Sequence, residues 1–154
     1  GAFAPKDRWA MDWYYPVLGG AVTGDEARYH LADRYHEFVM EGRGVRCVGN
    51  KDWATAAETS ECAMAHLLVD DRRTALDLFH STLAMRRPDG RYLTGIVYPE
   101  RVTFPDEECS TYTAAAVVLA ADALSGASPA SSLFVDHSAL PDVIDVEPRV
   151  REVD

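Results

Sequence analysis

Two kinds of helical pattern alternate along the chain. In one kind, apolar side chains recur on a single helical face, and this pattern predicts amphipathic helices over Asp25–Met40 and Arg72–Met85. Thr23 and Glu26, at the start of the first helix, stand three residues apart as in a capping box. We expect this helix to end before Gly42 and Gly44. We expect both helices to be outer helices, with one face turned to solvent.

The second kind of pattern is crowded with small residues on most faces. It predicts helices over Ala54–Val69 and Ser110–Leu124, and Thr55 with Glu58 offers a capping box at the start of the first. Small side chains let a helix be contacted from several sides, so we expect both to be inner helices. The chain therefore predicts an all-α fold, a helical hairpin repeat with a short β-like excursion near residues 92–98.

Charge and composition narrow the possible partners. The chain has 15 basic and 25 acidic residues, a formal net charge of −10, and its longest basic clusters are pairs of arginines. Such a surface repels a phosphate backbone, so we expect no nucleic-acid partner. No apolar run approaches the roughly 20 residues of a membrane span. Three cysteines without a C-x-x-C spacing indicate neither a disulfide framework nor a zinc site, and favour a cytoplasmic protein.

Several segments resemble a known group of proteins: MDWYYPVLGGA from Met11, GVRCV from Gly44, TAAETSECAMA from Thr55, DGRYLTGIVYPE from Asp89 and STYTAAAVVLAADAL from Ser110. Together they resemble the C-terminal part of actinobacterial α/α-toroid proteins, described as six-hairpin-glycosidase-like or prenyltransferase-like. The resemblance implies about half of an (α/α)6-type toroid over residues 1–134, whose inner helices frame a central cavity, followed by an acidic, proline-containing tail over residues 135–154.

A whole toroid of this kind needs about twice this length. The missing hairpins would come from another chain, from a second copy in a homo-oligomer, or from a removed N-terminal half. The chain has neither the D-x-D-D motif nor the Q-x-x-x-G-x-W repeat of terpene cyclases.

Carboxylates near the entrances of the inner helices are the catalytic candidates: Asp12, Glu61, Glu107 and Glu108. Glycoside hydrolysis needs two carboxyl groups about 5–9.5 Å apart, and one acid from each hairpin would meet that need. Glu61 has no evident local role, whereas Glu58 can complete the Thr55 capping box or bind substrate. Asp12 is either an acid among aromatic residues or a cap of the turn before Pro16.

Aromatic residues recur near the same entrances and are candidates for substrate binding: Trp13, Tyr14, Tyr15, Trp53, Tyr92, Tyr98 and Tyr112. Aromatic faces beside carboxylates suit sugar rings, because apolar C–H faces stack on the rings while acids bond the hydroxyls. Packing at the rim of a barrel is the alternative for each of them.

Three hypotheses for function follow. The leading one is a carbohydrate-active or carbohydrate-binding domain with a small-molecule or oligosaccharide ligand. The second is an isoprenoid enzyme or binder, in which aromatic faces would stabilise a carbocation. The third is a noncatalytic helical scaffold that completes a toroid with a partner. The histidines form no H-x-x-x-H group and no phosphate-binding or dinucleotide motif occurs, so we expect no metal and no cofactor.

Overall fold

A computed structural model describes residues 7–136, and the predicted tail beyond residue 136 lies outside the described residues. About half of these residues lie in helices: Ala10–Leu18 (α1), Gly24–Asp33 (α2), Tyr35–Phe38 (α3), Ala56–Leu68 (α4), Arg72–Ser81 (α5) and Thr111–Ser125 (α6), with a 3-10 turn at Thr82–Met85. Five short strands complete the fold: Val39–Met40 (β1), Gly44–Arg46 (β2), Trp53–Thr55 (β3), Gly95–Val97 (β4) and Val102–Thr103 (β5).

The strands form one antiparallel sheet in the order β1-β2-β3-β4-β5. The fold is therefore α+β, and the prediction of an all-α hairpin repeat was wrong. The sequence pattern does not reveal these strands, because two or three residues are too few to show an alternation of apolar and polar side chains. The register pairs Ala54 with Ile96 and Val45 with Thr55, which places β3 at the centre of the sheet.

Helix α4 is the centre of the molecule. It packs against α1, α5, α6 and the sheet. Every residue from Ala56 to His66 is buried, including four alanines and a cysteine. The prediction that this small-residue segment is contacted on several sides is confirmed. Its first two predicted residues, Ala54 and Thr55, belong to β3 instead.

The predicted helix over Asp25–Met40 is interrupted. Helix α2 ends at Asp33, a single turn forms α3, and Val39 and Met40 join the sheet. The glycines that were expected to end this helix form the β1–β2 hairpin, where Gly42 and Gly44 have positive φ. The predicted helix over Arg72–Met85 is α5 plus the 3-10 turn.

Helix α1 was not predicted from the pattern. Pro16 lies inside it, and proline is generally confined to the first turn of a helix because it lacks an N–H group. Its inner side is nevertheless the most aromatic part of the core, since Trp13 and Tyr14 are fully buried. Trp13 stacks on Phe38 with ring centroids 5.4 Å apart, which joins α1 to the α2–α3 region.

Candidate active site around Glu61

Glu61 is held by tyrosines from two other helices. It lies in the second turn of α4, where its side chain meets α1 and α6. The Tyr14 hydroxyl of α1 donates a 2.5 Å hydrogen bond to Oε2, and the Tyr112 hydroxyl of α6 donates a 2.6 Å bond to Oε1. Both oxygens therefore have a fixed partner, and the orientation of the carboxyl group is set by three helices.

A third tyrosine lies at the same place. Tyr15 lines the same pocket as Glu61 and Tyr112, and its ring packs edge-on against Tyr14 with centroids 5.1 Å apart. Tyr14 is fully buried, whereas Tyr15 and Tyr112 are 42% and 52% exposed. Two aromatic rings thus reach solvent beside a carboxyl group that is only 8% exposed.

The protonation of this group follows from its burial. Burial raises the pKa of the Glu61 carboxyl, and the hydrogen bonds from Tyr112 and Tyr14 oppose that rise without cancelling it. The negative charge of Glu58 raises the pKa further. Burial also raises the pKa values of Tyr14 and Tyr112, so these tyrosines keep their protons and remain donors.

An apolar pocket of about 390 Å³ opens beside Glu61. Its walls come from one face each of α1, α4 and α6 and from the segment after α6, and they comprise Tyr15, Leu18, Gly19, Met64, Tyr112, Ala115, Ala116, Leu119 and Phe134. Glu61 is the one carboxylate among the lining residues and no cationic side chain is among them. The pocket is thus a mostly apolar site with one oriented acid, and it falls within the roughly 300–1,000 Å³ of small-molecule sites.

Glu58 lies one turn before Glu61 on α4 and is also buried. Its Oε2 accepts a short hydrogen bond from the Thr55 hydroxyl, but the Thr55 side chain caps no backbone N–H, so the predicted capping box does not form. Glu58 also neighbours Cys47, where burial raises the thiol pKa to about 12. Glu58 therefore has a local structural role, and it does not line the pocket beside Glu61.

The other predicted acids are not among the residues that line the pocket beside Glu61. The Glu107 carboxylate forms a salt bridge with Arg87 at 2.9 Å, and Glu108 accepts a 2.7 Å hydrogen bond from the Thr94 hydroxyl. Asp12 is half-buried in the first turn of α1, three residues before Tyr15 and hence on the same helix face.

The predicted aromatic residues separate into two groups. Tyr14, Tyr15 and Tyr112 converge on Glu61, as described above. Trp13 is a core residue whose Nε1–H donates to the His30 carbonyl oxygen, and Trp53 packs edge-on against Phe104 on the sheet. Tyr98 is buried beneath the Arg43 guanidinium, and Tyr92 pairs with Arg86 in an isolated bridge. None of this second group lines the pocket beside Glu61.

The apolar lining residues were missed by reasoning from the sequence, although their spacing carried a signal. On α6, positions 112, 115, 116 and 119 follow the i, i+3, i+4, i+7 pattern of one helix face. On α1, positions 15, 18 and 19 share a face, and Met64 lies three residues after Glu61. The part of this pattern on α1 becomes visible only if α1 is recognised as a helix.

Within residues 7–136, no group of three or more His, Cys, Asp or Glu side chains is arranged to hold a metal ion. None of the helices in this range is both long enough and apolar enough to cross a membrane.

Comparison with known proteins identifies a relative that matches part of its own length to this chain. No protein-family model matches the chain. It is 45% identical over 133 residues to the MMP endo-(1,4)-3-O-methyl-alpha-D-mannosidase of Mycolicibacterium hassiacum, and the match covers 86% of this chain but 37% of that protein. The chain thus spans little more than a third of the curated relative that it matches.

Proposed function

We propose that this chain is a carbohydrate-active domain that binds a mannoside chain in the pocket beside Glu61. The observation that carries the proposal is a carboxyl group held at both oxygens by Tyr14 and Tyr112, at the edge of an apolar pocket with exposed aromatic rings. The 45% identity to part of an endo-mannosidase supports the same ligand class.

The chemistry of the pocket suits a sugar ring. The exposed faces of Tyr15 and Tyr112 can stack on the C–H face of a pyranose, and the carboxyl group can bond a hydroxyl or a glycosidic oxygen. Apolar walls such as Met64 and Leu119 also suit a sugar with methyl ethers, the kind that the name of the relative specifies. A sugar with only free hydroxyl groups would leave more of those groups without hydrogen-bond partners against these walls.

In hydrolysis, Glu61 would act as the general acid. Burial raises its pKa, which favours the protonated form that a general acid needs. Glu61 would give this proton to the glycosidic oxygen as the bond from that oxygen to the anomeric carbon breaks. A water molecule would add to the anomeric carbon, and a second carboxylate would take the proton of that water.

Asp12 is our candidate for the second carboxylate. It shares a face of α1 with Tyr15, which lines the pocket, and its half-buried side chain has no hydrogen bond or ion pair with the residues that the structure describes. Glu107 and Glu108 are each bonded to other side chains instead.

Binding and cleavage test the proposal in two steps. Calorimetric titration with α-1,4-mannotetraose and its 3-O-methylated form should give saturable binding, weakened about tenfold in Glu61→Gln, which loses the oriented acid. Glu41→Gln, at an exposed glutamate outside the pocket, is the matched control. No binding, or equal binding by a folded Glu61→Gln protein, would overturn the proposal.

Release of reducing ends from the same sugars tests the reaction. Turnover that is lost in Glu61→Gln and in Asp12→Asn would assign the two carboxylates. Saturable binding without any turnover would reject the hydrolytic step and leave a carbohydrate-binding domain.

A noncatalytic scaffold is the second candidate, and helix α6 favours it. No charged residue occurs from Thr111 to Ala121, yet Tyr112 and Val118 on this helix are 52% and 65% exposed. A partner chain would cover such a face. The isoprenoid alternative lacks comparable support, because no cationic side chain lines the Glu61 pocket to meet a diphosphate.

A further inference from the structure

The two oxygens of the Glu61 carboxyl group face different surroundings. Oε2 accepts from Tyr14, a residue of α1 whose ring and hydroxyl are buried in the core. Oε1 accepts from Tyr112, which lies in the first turn of α6, lines the pocket and is half exposed. The Tyr112 hydroxyl itself is only partly buried. One oxygen therefore faces the core, and the other faces the pocket through Tyr112.

Protonation of Glu61 changes one of these two hydrogen bonds. A carboxylate can only accept, whereas a carboxylic acid also has an O–H group that donates. The tyrosine beside the protonated oxygen then accepts from the acid. Because a tyrosine hydroxyl has a single hydrogen, that tyrosine turns its own O–H toward a different acceptor.

Burial decides which oxygen of Glu61 receives the proton. Within residues 7–136, the Tyr14 hydroxyl donates to Glu61 and to no other group. Turned away from Oε2, it would be a buried donor without an acceptor, which is unfavourable. The Tyr112 hydroxyl can instead turn toward the pocket and meet water or a ligand. The proton of the acid therefore belongs on Oε1, and the Tyr112 O–H then points into the pocket.

We propose that Tyr112 is a catalytic residue, whose hydroxyl donates to the glycosidic oxygen and passes on the proton of Glu61. This proton relay rests on the proposed function and deepens it. Glu61 gives its proton to the Tyr112 oxygen while Tyr112 gives its own proton to the glycosidic oxygen. The bond from that oxygen to the anomeric carbon breaks, and the electron pair of the bond stays on the oxygen. The departing sugar is then an alcohol.

The relay returns the site to the arrangement in the structure. Glu61 becomes a carboxylate that accepts from Tyr112. A water molecule adds to the anomeric carbon and gives a proton to the second carboxylate, and solvent restores the proton of Glu61. Tyr112 gains one proton as it loses another, so no phenolate forms. Burial and the hydrogen bond to Glu61 both raise the pKa of Tyr112, which agrees with a phenol that stays protonated.

The charges around Glu61 favour the acid form that the relay needs. The titratable groups that interact with Glu61 lie on three helices, and they are Tyr14 and Tyr15 on α1, Glu58 and Cys62 on α4, and Tyr112 on α6. None of these groups is cationic, and no cationic side chain lines the pocket. The Glu61 carboxylate thus has hydrogen bonds but no opposite charge beside it.

Carbon-13 NMR of the whole chain without sugar tests the change of hydrogen bonding, because the Cζ shift of a tyrosine reports the bonds of its hydroxyl. As the Glu61 carboxyl carbon titrates, Cζ of Tyr112 should move at the same pH and by more than Cζ of Tyr14. An unmoved Tyr112, or a larger movement at Tyr14, would overturn the proposal. This result is read on the wild type, so it decides the matter even if Tyr112→Phe fails to fold.

Tyr112→Phe tests the relay itself, because phenylalanine keeps a ring for stacking and lacks the hydroxyl. On 3-O-methylated mannotetraose, kcat should fall about 100-fold while KM changes by less than about threefold. On 2,4-dinitrophenyl α-mannotrioside, whose leaving group departs as a stable anion, the variant should stay within about fivefold of the wild type. Tyr29→Phe, at an exposed tyrosine outside the pocket, is the matched control.

Equal losses on the two substrates would reduce Tyr112 to a structural role, and a loss in Tyr15→Phe but not in Tyr112→Phe would place the relay at Tyr15. Either result would overturn the proposal. Wild-type protein that binds sugar without turnover would reject the relay together with the hydrolytic step. Normal wild-type turnover with an unmoved Tyr112 Cζ would reject the relay alone and leave the proposed function standing.

Discussion

At the scale of single residues, burial of the Glu61 carboxyl has a cost in stability. A buried carboxyl group with a raised pKa keeps its proton to a higher pH in the folded protein than in the unfolded chain. Its contribution to stability is fully present below the ordinary value of 4.5 and is lost as the pH rises through the raised pKa.

Replacing Glu61 with glutamine removes this titration. We expect the free energy of unfolding of Glu61→Gln to rise relative to the wild type as the pH increases above 4.5, because the variant never has to bury a charge. Each unit of pKa elevation corresponds to about 1.4 kcal/mol. Urea unfolding over a pH series measures the difference. A pH-independent difference would show that the Glu61 pKa is not raised.

At the scale of secondary-structure elements, the β1–β2 hairpin shows how the sheet is joined to α4. Gly44 has a φ of +111°, and a Cβ atom there would lie 2.6 Å from Oγ1 of Thr59 on α4. That oxygen cannot move aside easily, because it accepts from the Val45 N–H at 2.8 Å and donates to the Thr55 carbonyl oxygen. Glycine at position 44 allows hairpin and helix to touch.

Replacing each of the two glycines of this hairpin with alanine distinguishes the cost of backbone strain from the cost of a steric clash. Gly42 has a φ of +68°, but a Cβ atom there would meet nothing within 4 Å, so Gly42→Ala should cost about 1–2 kcal/mol from backbone strain alone. Gly44→Ala adds a clash with Thr59 and should cost about 1–3 kcal/mol more. Chemical denaturation of both variants measures the difference, and equal losses would contradict the close packing of this hairpin on α4.

At the scale of the whole molecule, the exposed uncharged face of α6 and the net charge of −10 oppose each other. The apolar face favours self-association, as the predicted homo-oligomer requires, whereas the shared negative charge repels a second copy. Salt screens the repulsion and leaves the apolar contact intact.

We therefore expect self-association to strengthen with ionic strength, and Val118→Lys to abolish it. Val118 is 65% exposed, so the substitution should change the free energy of unfolding by less than about 0.5 kcal/mol. Sedimentation velocity at low and high salt measures the association. The exposed Tyr29→Lys, on α2, is the control for added charge alone. Association that persists in Val118→Lys would place the contact elsewhere.

The sequence by itself determined the positions of the long helices. The bounds predicted for α4 and α6 differ from the structure by one or two residues, because helical period, caps and small residues are local properties of the chain. Glu61 was selected among the carboxylates because it had no evident local partner, and the structure places it at the edge of the pocket. Glu58 was correctly linked to Thr55 by their spacing.

Only the tertiary structure decided the fold class and the composition of the site. Strands of two or three residues are stabilised by their pairing partners, which lie up to about 40 residues away, and no local pattern records that pairing. The convergence of Tyr14 and Tyr112 on Glu61 depends on how α1 and α6 pack against α4. The different surroundings of the two Glu61 oxygens depend likewise on contacts between elements, since hydrogen bonds across a fold are properties of three-dimensional packing.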